Sequence, residues 1–301
     1  MKNMNSNKIR LDKELEILLF LWRWKVSTTS AIYIRFKPVY EWTAFTAYQR
    51  LLKLSKKGVI EAKLIDARTF AVWTLTRSGF GSIREKLPLL REDGFASEAP
   101  EHDLNVLAAQ FGEWLPKGTV NDVAFFTEQE LRRQTPETLF DWMPPLTMHR
   151  PDGYWYFPGA NPKSLVALEV EMNRKSFDAY KGVGNFYNKY KAIESTLWVV
   201  QSKNLAQKIV EAAHGGLAEF RDIHNFILFD EFIEIGWSAK IFQGIANRST
   251  MREFLEGHRL NQVETIPKPN INHGLVSLIL DSRHRRFKTG VCVDQTNSPI
   301  Q

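Results

Sequence analysis

The segment Leu165-Val166-Ala167-Leu168-Glu169-Val170-Glu171-Met172 holds the most chemistry in this 301-residue chain. Side chains alternate on a strand, so Val166, Leu168, Val170 and Met172 share one face and Ala167, Glu169 and Glu171 the other. Two carboxylates that close on an otherwise apolar strand raise each other's pKa or take a cation between them. A few hard oxygen donors are what Mg²⁺ or Mn²⁺ uses, with water and substrate phosphate completing the shell. Asp152, in Pro151-Asp152-Gly153 at the head of the preceding strand of a hairpin, is placed to supply the next ligand. Taken alone, the glutamate pair reads as the solvated face of a sheet.

These carboxylates need a scaffold, and the chain divides into two unlike parts. Residues 1–65 carry thirteen Lys and Arg against five Asp and Glu, a net +8, whereas the whole chain is only +6. The anionic partner of that charge belongs at the N-terminus. Asp12 is placed to cap a helix with Leu15, Leu18, Leu19 and Trp22 at helical spacing. Ser27, Thr28 and Thr29 offer a cap for a second helix bearing Ile32, Ile34 and Phe36, closed by Pro38. A third helix, about 41–57, has Phe45, Tyr48, Leu51, Leu52 and Leu54 as its apolar stripe and Gly58 as its C-terminal cap. Strands at 59–64 and 69–74 follow around a turn near Asp66.

Three helices and a two-stranded ribbon are the order of a winged helix-turn-helix. Its third helix is expected to turn Thr43, Thr46, Gln49, Arg50 and Lys53 outward, with Lys56 and Lys57 at its end. Such side chains suit groove edges and phosphates. A plain helical domain with a solvated basic face is the alternative; charge and helix order together favour DNA.

A stretch rich in Pro, Gly and acidic residues, 88–100, separates this domain (10–87) from the next. Beyond it the pattern predicts a helix at 102–114, a strand at 120–126, strands at 154–157 and 165–172 and a long helix at 177–193. A strand at 196–200, a helix at 205–214 and a strand at 226–229 complete it. That is an α/β core with a mixed sheet over 101–245, so the chain is α+β overall; 246–301 is a C-terminal extension. Lys175, Tyr180, Lys181, Tyr187, Lys189, Tyr190 and Lys191 give the long helix a basic-aromatic character suited to unpaired bases. At least half of those tyrosines are expected to pack on the sheet instead. Glu101, His102 and Asp103 open the first helix of this part, where acids suit the positive helix end. Glu130, Arg132 and Arg133 form a further charged cluster, and Arg283, His284, Arg285, Arg286 and Lys288 a basic patch near the end.

Pro151-Asp152-Gly153, then Glu169-Val170-Glu171 seventeen residues and one hairpin later, then a basic helix, resembles the PD-(D/E)XK nuclease superfamily. The resemblance implies that Asp152 and Glu169 ligate a metal that activates water against a phosphodiester. Glu171 stands where the family's lysine would be, as a third ligand or water-orienting base, and Lys175 as a displaced lysine. The carbonyl of Val170 is a further metal-facing atom on this reading.

The N-terminal part adds to this. Leu51-Leu52-Lys53-Leu54-Ser55-Lys56-Lys57-Gly58-Val59-Ile60 and Trp73-Thr74-Leu75-Thr76-Arg77-Ser78-Gly79 resemble the replication-relaxation family of plasmid and mobile-element proteins. Glu101-His102-Asp103-Leu104-Asn105-Val106, Glu130-Leu131-Arg132, Pro151-Asp152-Gly153 and Leu168-Glu169-Val170-Glu171 follow in the family's order, covering about residues 12–200. One branch, the MobC class of relaxases, is held to nick transfer origins with a restriction-endonuclease-like fold. By that analogy Asp103 or Glu101 lies beside the metal cluster.

Other classes are excluded or disfavoured. Cys292 is the only cysteine, so there is no internal disulfide and no cysteine zinc cage, which fits a reducing cytoplasm. The apolar run Ile17 to Trp22 is too short for a signal-peptide core or a membrane span. The seven histidines include no two within three residues, which disfavours the histidine-based metal motif of covalent relaxases. No Walker loop, GxSxG elbow or dinucleotide fingerprint is present. The expectation is a Mg²⁺- or Mn²⁺-dependent endonuclease nicking a mobile element's origin, on double-stranded DNA with locally unpaired stretches, with relaxosome proteins as further partners and no membrane. The alternative is a non-catalytic replication initiator or repressor with an inactive nuclease-like domain.

Overall fold

The first helix is longer than its apolar spacing suggests. α1 (Asn3–Trp24) runs through Asp12, which is therefore interior to the helix and not its cap. The computed structural model describes residues 3–66, 70–87, 94–117, 122–132, 143–144, 149–159, 164–215 and 221–259. The turn tip beyond Asp66, Arg133, Cys292 and the basic patch at 283–288 lie outside these.

After α1 come β1 (Val26–Ser27), α2 (Thr29–Tyr40), α3 (Ala44–Lys56), β2 (Ile60–Asp66), β3 (Phe70–Leu75) and α4 (Arg77–Ile83). Thr28 caps α2 by accepting from the Ala31 amide at 3.0 Å, a contact worth about 1 kcal/mol. Pro38 does not close α2 but sits inside its last turn; the stop comes at Glu41, in the left-handed region at φ 54°. At the end of α3, Gly58 takes φ +70°, and its amide bonds back to Ser55, as only a residue without Cβ does cheaply. The strands pair in the order β1-β3-β2, all antiparallel, giving the winged helix-turn-helix arrangement. Ala47, Leu51 and Leu54 form the buried stripe of α3; Phe45, expected in it, is 57% exposed.

The second part holds α5 (Pro100–Phe111), β4 (Ala124–Thr127), α6 (Glu128–Leu131), β5 (Gly153–Phe157), β6 (Ser164–Glu171), α7 (Phe177–Lys189), β7 (Ser195–Val200), α8 (Lys203–His214), β8 (His224–Leu228), α9 (Phe229–Ile235), β9 (Ile241–Gln243) and α10 (Met251–Arg259). Six strands form one sheet in sequence order, β4 to β9. β4, β5 and β6 are antiparallel, β7 and β8 continue parallel to β6, and β9 turns back antiparallel. Helix, three-strand meander, helix and parallel strand is the mixed-sheet order expected of a restriction-endonuclease-like domain. α10 buries Met251, Phe254 and Leu255, so the fold extends past 245 to at least Arg259.

The sheet is covered on both faces. One apolar cluster joins Val166, Leu168, Val170, Leu197 and Val199 to Leu104, Leu107 and Phe111 of α5. The other joins Ala167, Trp198, Val200 and Phe226 to Tyr180, Phe186 and Tyr187 of α7 and Leu205 and Ile209 of α8. The first cluster also takes in the winged helix, from Ile17 and Leu21 to Val72 and Leu75. Trp24 stacks on Phe111 with ring centroids 5.6 Å apart and planes 12° from parallel. This explains why α1 buries Ile17, Phe20, Leu21 and Trp24 beyond its expected stripe: it has neighbours in both parts. The described end of the 88–100 stretch also packs, with Phe95 stacked on Phe80 at 5.0 Å.

Candidate functional site

The site forms where β5 stops short beside β6. Pairing of the two ends at Gly153 with Leu168, so the Val170 peptide has no strand partner on the β5 side. A buried peptide group must be satisfied by something else. The Asp152 carboxylate accepts the Val170 N–H at 2.7 Å, and His102 Nε2 takes the Val170 carbonyl at 3.0 Å. The Val170 carbonyl, expected to face a metal, thus faces an imidazole. Gly153 is required for packing, because a Cβ there would collide with the Gln110 side-chain amide. That amide donates to the carbonyls of Phe126 and Tyr154, tying α5 to β4 and β5.

Glu169 and Glu171 do share one face of β6, but that face is not wet: they are only 6% and 5% exposed. Each acidic group has a partner of its own. Glu169 Oε1 accepts from His149 Nε2 at 2.6 Å and from the hydroxyl of Tyr187. Glu171 pairs with Lys175 at 2.8 Å. Asp152 lies 3.3 Å from His102 Nε2. Asp103 pairs with Lys25 at 3.3 Å and lies 3.6 Å from His102 Nδ1. Lys25, held at φ 62° between α1 and β1, also bonds Glu128 at 2.6 Å, which in turn holds Arg132.

Protonation follows from these contacts. Burial pushes His102 down, but Asp152 and Asp103 together reverse it and hold it up at about 11. Burial also opposes charge on His149, and Glu169 overrides it upward. Burial would raise Asp103, yet His102 and Lys25 keep it below the usual carboxylate range. Glu171 is pushed up by burial, with Lys175 opposing and Glu169 and Asp152 adding like charge. Tyr187 is raised well above its ordinary value by burial and by Glu169, so its hydroxyl stays a donor.

Asp152, Glu169, Glu171 and Lys175 are thus neighbours, as expected from sequence. Asp103 is linked to them through His102 and pairs with Lys25. Glu130 serves in a capping box with Thr127 and pairs with Arg23 at 3.1 Å. Arg132 pairs with Glu128 at 2.7 Å. Tyr180 and Tyr187 are buried, as expected for half of the helix tyrosines. His102, His149, Tyr187 and Lys25 are the participants that sequence reasoning did not place. His102 alone carried a signal, standing beside Asp103 in the first turn of a helix.

As they stand, these residues do not fit a divalent cation. Among the described residues no three or more His, Cys, Asp or Glu side chains are arranged to hold a metal ion. The carboxylates already face His102, His149 and Lys175. A narrow cleft beside Asp152 is lined by Arg23, Lys25, Asp103, Thr127, Glu128 and Gln129, at the junction of the two domains.

On the winged helix, Thr43 caps α3 and its hydroxyl lies 2.9 Å from that of Thr46. Gln49 and Lys56 are exposed, while Lys53 is half-buried. Arg50 lies over the Trp42 ring at 4.8 Å, and Lys57 pairs with Glu14 at 2.6 Å. Among the described residues no helix is long and apolar enough to cross a membrane. Comparison with protein-family models, with curated proteins and with solved structures yields no match.

Proposed function

We propose that this protein binds duplex DNA through its winged helix and acts at an origin of a mobile element, in the manner of the replication-relaxation family. The observation that carries the reading is α3: a capped helix exposing Thr43, Phe45, Gln49 and Lys56 from the part of the chain with net charge +8. Its second domain, where Asp152 faces His102, Glu169 faces His149 and Glu171 faces Lys175, suits an initiator or repressor that holds DNA without cutting it. A nicking enzyme is the second reading, favoured by Asp152, Glu169 and Glu171 meeting on one sheet in a nuclease-like strand order. It requires the ion pairs to open so that Mg²⁺ or Mn²⁺ gains its ligands.

Supercoiled plasmid carrying the origin region of the protein's own mobile element, titrated with protein in Mg²⁺ or Mn²⁺, separates the two. The expected result is tight binding that weakens steeply with salt and no nicked circles. Nicking by wild type, lost in Asp152→Ala with binding retained, moves the assignment to the endonuclease. Binding indifferent to salt removes DNA as the partner.

A further inference from the structure

We infer that α3 reads a duplex containing A·T pairs, through Gln49 and Phe45, a deepening that rests on the DNA-binding reading above. The structure narrows the readers by what the other candidates already do. The Thr43 and Thr46 hydroxyls are engaged with each other and with the helix start. Arg50 is drawn over Trp42, and Lys57 is paired with Glu14. Phe45, in the first turn of α3, is 57% exposed although it is the largest apolar side chain there. Gln49 follows one turn later, also exposed.

Residues four apart on a helix stand about 5–6 Å from each other on one face. Base pairs in B-DNA stack about 3.4 Å apart, so Phe45 and Gln49 reach the same or neighbouring base pairs. A glutamine amide pairs with N6 and N7 of adenine, and a phenyl ring packs against the 5-methyl group of thymine. The first turn of α3 carries no acidic side chain, and Lys53 and Lys56 continue along the helix toward phosphate. Helix N-terminal residues are those that meet base edges in helix-turn-helix docking. An exposed phenyl ring in a basic helix start is thereby given a partner of matching chemistry.

The test is selection of duplexes from a random library by the full chain, followed by affinity measurements with wild type, Phe45→Ala and Gln49→Ala. Selected sites are expected to share an A·T pair at one fixed position. Replacing its thymine by deoxyuridine, which lacks the methyl group, weakens wild type several-fold and leaves Phe45→Ala unaffected. Gln49→Ala lowers the preference for A·T over G·C there by about tenfold or more. Both side chains are exposed, so thermal melts of the variants should match wild type. Retention of duplexes without an A·T preference, or equal deoxyuridine sensitivity in Phe45→Ala, overturns this inference alone. A changed oligomeric mass in Phe45→Ala with base preference intact overturns it in favour of contact between copies. Retention of no duplex at all overturns the DNA-binding reading and this with it.

Discussion

Lys25→Met should lose about 1–3 kcal/mol of folding stability, the usual cost of removing one partner of a buried hydrogen-bonded group, since Arg132 stays on Glu128 and His102 beside Asp103. The ammonium of Lys25 lies between Asp103 and Glu128, and its side chain is only 11% exposed. Methionine keeps the stem but leaves the two carboxylates without their shared cation. The lysine also holds a left-handed backbone that is costly for any residue with a Cβ, fixed by the Thr74 hydroxyl donating to its carbonyl at 2.9 Å as well as by the ion pairs. Urea titration gives the loss directly. Glu128→Gln should cost less in the Lys25→Met background than in wild type, because the contact between the two side chains is already gone. A Lys25→Met protein within about 0.5 kcal/mol of wild type, the range of ordinary surface changes, would mean the network contributes nothing to the junction.

His102 should make stability fall as the solution becomes alkaline. Its folded pKa of about 11 lies above the ordinary 6.5, because Asp152 and Asp103 outweigh burial. A group raised in this way contributes fully below about pH 6.5, and its contribution drains away as pH climbs toward 11. Between these limits one extra proton is bound by the folded state, which steepens the decline by at most about 1.4 kcal/mol per pH unit. His102→Gln should remove that increment, so its stability falls less steeply than wild type between about pH 7.5 and 9.5. Identical slopes in the two proteins would show that His102 is not held protonated. His224 acts at the other end: burial lowers it to about 3, so stability is lost as pH drops below its ordinary value.

Local pattern carried most of the fold into view. Alternation on β6 assigned both of its faces, and Thr28, Gly58 and the apolar strand at 195–200 marked element boundaries within a few residues. What escaped is what depends on neighbours remote in the chain. Asp12 looks like a cap only if the helix starts there, and Pro38 like a stop only if its last turn is ignored. Phe45 looks like core because it is apolar, although it faces outward.

For the site, the grouping of Asp152, Glu169 and Glu171 follows from strand order, and Lys175 joins them through the resemblance to the nuclease superfamily. Their partners do not. Lys25 meets Asp103 across 78 positions, and His102 meets Val170 across 68, distances over which no periodicity speaks. The same limit holds for Asp103, whose contact with Lys25 crosses to the other domain.

The unbroken apolar core has a geometric consequence. With Trp24 stacked on Phe111 and one cluster running from α1 to β6, the two domains are packed on each other, and that packing sets the offset of α3 from Asp152. On the DNA-binding reading the molecule is a ruler: whatever sequence α3 grips, the same helical phase of the duplex is presented to the carboxylate face. Inserting about five base pairs between the gripped sequence and the presented segment turns the latter to the far side of the duplex, whereas about ten restores the phase. Footprints on such spaced duplexes should therefore keep any protection beyond the gripped sequence at one distance from it, whatever the inserted length.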